Sequence, residues 1–227
     1  MSKVHAIKKK AHDGWVITEL HDEKSNSKNI YTLEDKVAPQ IYLTDAISKK
    51  YAAYTLIEKD LRNVIAWLEE IEKIKPRFED NVQDRSKMLV VKSLFVSAIT
   101  FYAKCFTSCE GRKIKLDKAT ISKEFIDTHN QAMKLRHNYT AHSGAENFEE
   151  VKISLVLHPH IQSLEYCNIF TELKQPFFMP DENFKFMELV KWLQEKVWEK
   201  RTSIGELVLE KSVKSKGPRF WYEKSTS

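Results

Sequence analysis

The chain has 227 residues, 42% of them hydrophobic, and only 5 glycines. That length and apolar content provide for a sizeable core and exclude global disorder, while the scarcity of glycine argues against a glycine-rich nucleotide loop and against a turn-dense all-β fold. The 37 Lys and Arg against 32 Asp and Glu leave +5, a balance that permits a polyanionic partner without requiring one.

The three cysteines, Cys105, Cys109 and Cys167, fit a reducing compartment. Met1 to His5 leads into Lys8-Lys9-Lys10 with no apolar run behind it, so no signal peptide is expected and the protein reads as cytoplasmic. Gly14-Trp15-Val16-Ile17-Thr18, after the turn signal Asp13-Gly14, predicts a short strand. Asp22 to Lys28 is polar and loop-like, and residues 1–40 together read as a β-ribbon or an arm.

The first helix starts near Thr44, where Thr44 or Asp45 can cap the unpaired backbone N–H groups. Its stripe of Ile47, Tyr51, Tyr54, Ile57, Leu61, Val64, Leu68 and Ile71 advances in steps of three and four. Pro76 stops it. A second helix over 83–108 is apolar on most sides through Leu89, Val90, Leu94, Phe95, Val96, Ala98, Ile99, Phe101 and Tyr102, which places it inside a bundle. Its most apolar part, Met88 to Phe106, is interrupted by Lys92 and Lys104, so no membrane span is expected.

A loop at 109–113 precedes a third helix over 122–142, with Ile121, Phe125, Thr128, Ala132, Leu135 and Tyr139 on one face and Ser143-Gly144 as its stop. Val151, Ile153, Leu155 and Leu157 alternate with Lys152, Ser154 and Val156, which predicts a strand with one buried face, and Tyr166 to Thr171 forms a hairpin partner with the turn near Pro159. A last helix runs from Asp181 to about Val213 through Phe186, Val190, Leu193, Val197, Ile204 and Val208, with Gly205 inside it. The tail, 214–227, is basic and carries Phe220-Trp221-Tyr222. The expected organisation is an N-terminal arm or ribbon at 1–40, a helical domain at 41–213 with a hairpin near 151–173, and the tail. The expected fold class is mainly α, an antiparallel helical bundle with a small β-hairpin insertion.

The sharpest motif is Leu135-Arg136-His137-Asn138-Tyr139-Thr140-Ala141-His142-Ser143. It resembles the signature of the HEPN superfamily: an arginine, a polar residue, a few more residues, then a histidine, at the end of a bundle helix. Ala141-His142-Ser143, and the apolar helix carrying Phe101-Tyr102-Ala103-Lys104, are similar to HEPN-type proteins of phage defence and abortive infection. The resemblance covers about residues 44–213. It implies a HEPN-like bundle, a homodimer with two motifs facing across a cleft, and a metal-independent endoribonuclease without cofactor. It also brings in RNA as the partner, and an antitoxin or activator protein where the enzyme is a toxin or defence effector. Other relatives are non-catalytic modules that bind RNA, a nucleotide or a protein, and that is the alternative reading.

The chemistry suits the motif. RNA supplies its own nucleophile, the 2′-hydroxyl, so cleavage needs a base, an acid and positive charge at the phosphate. His142, in its neutral form, can be the base near physiological pH. Arg136 offers a charged fork of donors to phosphate oxygens, and the second His142 of a dimer is the acid. On an ideal helix the two side chains stand about 9 Å and about 120° apart, so the long arginine, a loosened last turn or the dimer must bring them to one phosphate. Supporting RNA contacts are assigned to His137, Asn138, Tyr102 and Lys104. Taken singly, Arg136 and His142 would be ordinary helix C-terminal cations, Tyr102 a core tyrosine and Lys104 a surface lysine. Cys105, Cys109 and the pair His158 and His160 match no common zinc spacing, so no metal site is expected.

Overall fold

The computed structural model describes residues 5–22, 27–74, 85–108, 110–140, 150–162, 164–174 and 184–225. The fold is mainly α with small antiparallel sheets. It divides into two compact units, Met1–Lys49 with Ile204–Ser227, and Lys50–Ser203.

The first unit contains a four-stranded meander, β1 (His5–Lys10), β2 (Trp15–His21), β3 (Ser27–Leu33) and β4 (Lys36–Val37), in the order β1-β2-β3-β4. All pairs are antiparallel, with Ile7 opposite Glu19 and Ile17 opposite Tyr31. The Asp13-Gly14 signal makes the first turn: both residues have positive φ (56° and 78°), and Ala11 N–H donates to the Trp15 carbonyl over 2.8 Å. The β3–β4 turn uses Glu34 and Asp35, also at positive φ (49° and 60°). Two such residues close a tight hairpin whose twist matches its strands, a job glycine or asparagine does with less strain. The strand expected at 14–18 is thus the second of a sheet.

Asp45, rather than Thr44, caps α1 (Ala46–Ile74). Its Oδ1 accepts from Ile47 N–H (3.0 Å) and Ser48 N–H (3.1 Å), while the hydroxyls of Ser48 and Ser212 donate to its carboxylate over 2.6 and 2.9 Å. These bonds, the Ser48 hydroxyl foremost, hold the carboxyl far below the usual carboxylate range. At the other end of this unit a π-helical turn (Val208–Val213) and a short 3₁₀ turn lead through Gly217, at φ 74°, into α5 (Gly217–Ser225). The tail is therefore helical through Ser225. Trp221 fixes it by donating its indole N–H to the Val213 carbonyl over 2.9 Å, and Lys216 lies over the Phe220 and Trp221 rings at 5.0 and 5.2 Å.

The second unit holds the main core. Ile57, Leu61, Val64, Leu68 and Ile71 of α1 meet Val91, Phe95, Ala98, Ile99, Tyr102 and Cys105 of α2 (Arg85–Phe106). Ala132 of α3 (Ile126–Thr140) and Leu189, Val190, Leu193 and Val197 of α4 (Phe186–Leu207) complete the cluster. The α1 stripe of the sequence is buried from Ile57 onward, whereas Tyr51 is 36% exposed and Ala53 takes the buried position. Apolar character runs round α2, but Leu89 and Val90 are exposed. By length and composition α2 could cross a bilayer, yet its inward residues are spent on this core. Pro76, expected to stop α1, lies outside the described residues. α3 starts at Ile126 rather than 122 because Ser122 is extended (ψ 153°) and a 3₁₀ turn, Lys123–Phe125, intervenes. The hairpin of β5 (Glu150–Val156) and β6 (Asn168–Lys174) pairs Ile153 with Thr171, but the face expected to be buried is exposed at Val151, Ile153, Leu155 and Leu157, because alternation marks an apolar face without supplying a layer to cover it.

Candidate functional site

Arg136 lies just before the last turn of α3 and is partly buried; His137, which begins that turn, is exposed. The Asn138 side chain and His142 lie outside the described residues. The structure therefore places half of the sequence motif and is silent on the rest.

The other two assigned residues sit on α2 and have structural partners. Tyr102 is fully buried and its hydroxyl lies 2.7 Å from Nδ1 of His129, itself buried on α3. Tyr102 packs against Phe106 (5.2 Å between centroids) and Phe186 (5.1 Å), so it has no surface to offer RNA directly. Lys104 reaches Asp60 over 3.2 Å and lies 5.0 Å over the Phe101 ring, although its side chain keeps 42% exposure.

The tautomer of His129 follows from its partner. A buried hydroxyl must donate somewhere, and among the described residues Nδ1 is the acceptor available to Tyr102. The Tyr102 O–H therefore donates to Nδ1, leaving the proton of the neutral ring on Nε2. Burial first, and the charge of Lys118 second, hold the imidazole below its usual pKa and keep it neutral. Burial likewise pushes up the Tyr102 hydroxyl, and takes the nearby Cys105 thiol to about 12, which makes this cysteine an inert core residue.

His129 opens onto a groove of about 570 Å³ between the end of α2, residues 115–118 and α3. Phe106, Leu116 and Met133 form its apolar part, and Lys115, Asp117, Lys118 and Asn130 its polar part. His129, Met133 and Arg136 are spaced i, i+4 and i+7, so the groove and the motif arginine share one stripe of α3, about 10 Å apart along the axis.

A buried ion cluster anchors the groove wall. Asp60 of α1, 1% exposed, meets Arg112 (3.4 Å), Lys104 (3.2 Å) and Lys59 (3.3 Å). Arg112, also buried, donates to the Lys104 carbonyl near the end of α2, and Leu116 N–H donates to the Cys105 carbonyl over 2.8 Å. Asp117 then caps the following turn by accepting from Ala119 N–H (2.9 Å). Residues 112–118 are thus pinned to α1 and α2, which fixes where Lys115 and Lys118 stand. A second buried carboxylate, Glu58, is held by Arg62 (3.0 Å) and Arg201 (3.2 Å). Sequence reasoning missed His129, Asp60 and Arg112. A lone histidine on an apolar stripe reads as core, and the Asp60–Arg112 pair spans 52 positions.

Among the described residues no group of three or more His, Cys, Asp or Glu side chains is placed to hold a metal ion, and Cys109 lies outside them. His158 instead accepts at Nδ1 from the His160 and Ile161 N–H groups (3.1 and 2.9 Å), closing the turn after β5.

No protein-family model, curated protein or solved structure matches the chain.

Proposed function

We propose that the chain is a HEPN-like, metal-independent cytoplasmic endoribonuclease that works as a homodimer, with Arg136 on the scissile phosphate and His142 as general base. The observation that carries this reading is the setting of Arg136. It is a partly buried arginine just before the last turn of α3, on the same stripe as a groove with two lysines on its rim. Such an arginine has a restricted, preorganised fork beside a surface suited to a polyanion.

In the proposed reaction neutral His142 takes the proton of the 2′-hydroxyl, and the 2′-oxygen attacks phosphorus. The bond to the 5′-oxygen breaks, and that oxygen is protonated by the His142 of the second copy. The products are a 2′,3′-cyclic phosphate and a free 5′-hydroxyl. Arg136 binds the charge that accumulates on the non-bridging oxygens, a contribution on the order of 10²–10³ in rate. His137 and Asn138 adjoin the phosphate path. Tyr102 acts at one remove, through His129, and Lys104 through Asp60. A toxin or defence effector of this kind would be held in check or triggered by an antitoxin or activator protein.

The test uses purified full-length chain, labelled RNA and EDTA. The expected result is cleavage that EDTA leaves unchanged and that Arg136→Ala and His142→Ala each lower by about 10²–10³. Equal cleavage by wild type and His142→Ala refutes the mechanism. The lysine-rimmed groove favours the second reading, a non-catalytic nucleotide- or RNA-binding module, if folded protein binds without turnover.

A further inference from the structure

The groove beside α3 is built in two halves of different chemistry. Phe106, Leu116 and Met133 give it an apolar wall, and Lys115 and Lys118 stand exposed at its rim with Asp117 between them in sequence, whose carboxylate is engaged by the Ala119 N–H, leaving the rim a net positive charge. Neither lysine forms an ion pair among the described residues. Between the halves stand His129, with a fixed Nε2–H donor, and the exposed amide of Asn130, which offers both donors and an acceptor.

We propose that this groove binds one nucleotide unit, its base against Phe106, Leu116 and Met133 and its phosphate between Lys115 and Lys118. A flat heterocycle joined to a phosphate is the ligand class that uses an apolar wall, a base-edge reader and a cationic rim together. The volume, about 570 Å³, lies within the ordinary range for small-molecule sites, roughly 300–1,000 Å³. The His129 ring stands edge-on to Phe106 at 4.6 Å and is held through Nδ1 by Tyr102, so the position of the ring is set before a ligand arrives. The wall carrying the lysines is set as well, by the Arg112 bonds to Asp60 and to the Lys104 carbonyl.

The same chemistry comes from two sources, a free mononucleotide or one residue of an RNA chain. The shared stripe puts a nucleotide in the groove about 10 Å along α3 from Arg136, roughly the reach of the next residue or two of a strand. Binding here does not depend on cleavage at Arg136, so it stands or falls separately from the ribonuclease reading.

The experiment is calorimetric titration of the full chain with AMP, with UMP, with adenosine, and with a 2′-O-methyl pentanucleotide that cannot be cut. Wild type is compared with Lys115→Ala/Lys118→Ala, whose positions are exposed and tolerate truncation, and with Lys196→Ala/Lys200→Ala as a remote pair. The expected result is one site per chain, with affinity about tenfold weaker in the first double variant, unchanged in the second, and weaker for adenosine than for AMP. Saturation by mononucleotide identifies a free nucleotide as ligand. Binding of the oligomer alone, with the same lysine dependence, identifies a residue of RNA. The proposal is overturned if neither ligand binds at millimolar concentration, or if both lysine pairs weaken binding equally, which is the mark of diffuse polyanion attraction.

Discussion

Replacing Asp60 by alanine removes the carboxylate that lies 3.4 Å from the buried guanidinium of Arg112. The two side chains are 1% and 3% exposed, so little water can take the place of the lost carboxylate. Breaking a buried pair by removing one partner costs about 3–5 kcal/mol. Lys59 and Lys104 add little to this, because their own side chains are 47% and 42% exposed and an ion pair reaching solvent is worth about 0–1 kcal/mol. Arg112 keeps its bond to the Lys104 carbonyl, which puts the expected loss nearer the lower end, about 3 kcal/mol. With a urea dependence of about 2 kcal/mol per molar, the midpoint should fall by about 1.5 M. Urea unfolding followed by far-ultraviolet circular dichroism reads this directly. The double variant Asp60→Leu/Arg112→Met should recover most of the loss, since apolar replacement of a buried ion pair is often neutral or better. A midpoint for Asp60→Ala within about 0.3 M of wild type would refute the claim that Arg112 depends on this carboxylate.

At the proposed phosphate site, Arg136→Ala and His142→Ala should each lower RNA cleavage by about 10²–10³, assayed where circular dichroism shows each variant folded. Because the folded-state pKa of His129 is depressed below its usual 6.5, its contribution to stability is present above pH 6.5 and is lost as pH falls through the depressed value. Stability of wild type should therefore drop on acidification from pH 7 to 5 more steeply than that of His129→Gln, measured by paired urea titrations; parallel curves would remove His129 from the account. In the β3–β4 turn, Glu34→Asn with Asp35→Gly relieves two left-handed non-glycine residues and should raise the stability of the first unit by about 1 kcal/mol, seen as slower amide exchange in β3.

Which elements were readable follows from where their stabilising contacts lie. The α1 stripe from Ile57 to Ile71 repeats every three or four residues because that face meets the core, so its period records its burial. β1 has no such record: all six residues from His5 to Lys10 are exposed, and the strand is held by backbone pairing to β2, which any side chain permits. α5 is short, and its indole bond to Val213 crosses a 3₁₀ turn, a geometry with no sequence period. Leu89 and Val90 look like core by composition yet are exposed, since composition does not say how many faces of α2 have a neighbour. At the candidate site, Arg136 was readable because it belongs to a local motif. His129 was not, because its meaning comes from Tyr102, 27 positions away, and Lys115 and Lys118 acquire theirs from Arg112 and Asp60.

The ion cluster poses a question of its own. Burying Asp60 and Arg112 is a costly way to hold residues 112–118 in place, when leucine and methionine there would be at least as stable. What the charged pair adds is position: a guanidinium that must meet both a carboxylate on α1 and a carbonyl near the end of α2 has few acceptable placements, whereas an apolar plug has many. The beneficiaries of that fixed placement are the lysines three and six residues further on. The Asp60→Leu/Arg112→Met chain therefore separates stability from site geometry. If the cluster exists to set the groove wall, that chain should unfold near the wild-type urea midpoint and yet bind AMP or the uncleavable oligomer several-fold more weakly. Wild-type affinity in a stable double variant would mean that Leu116 and Asp117 alone position the wall, and that the buried pair serves the fold and not the groove.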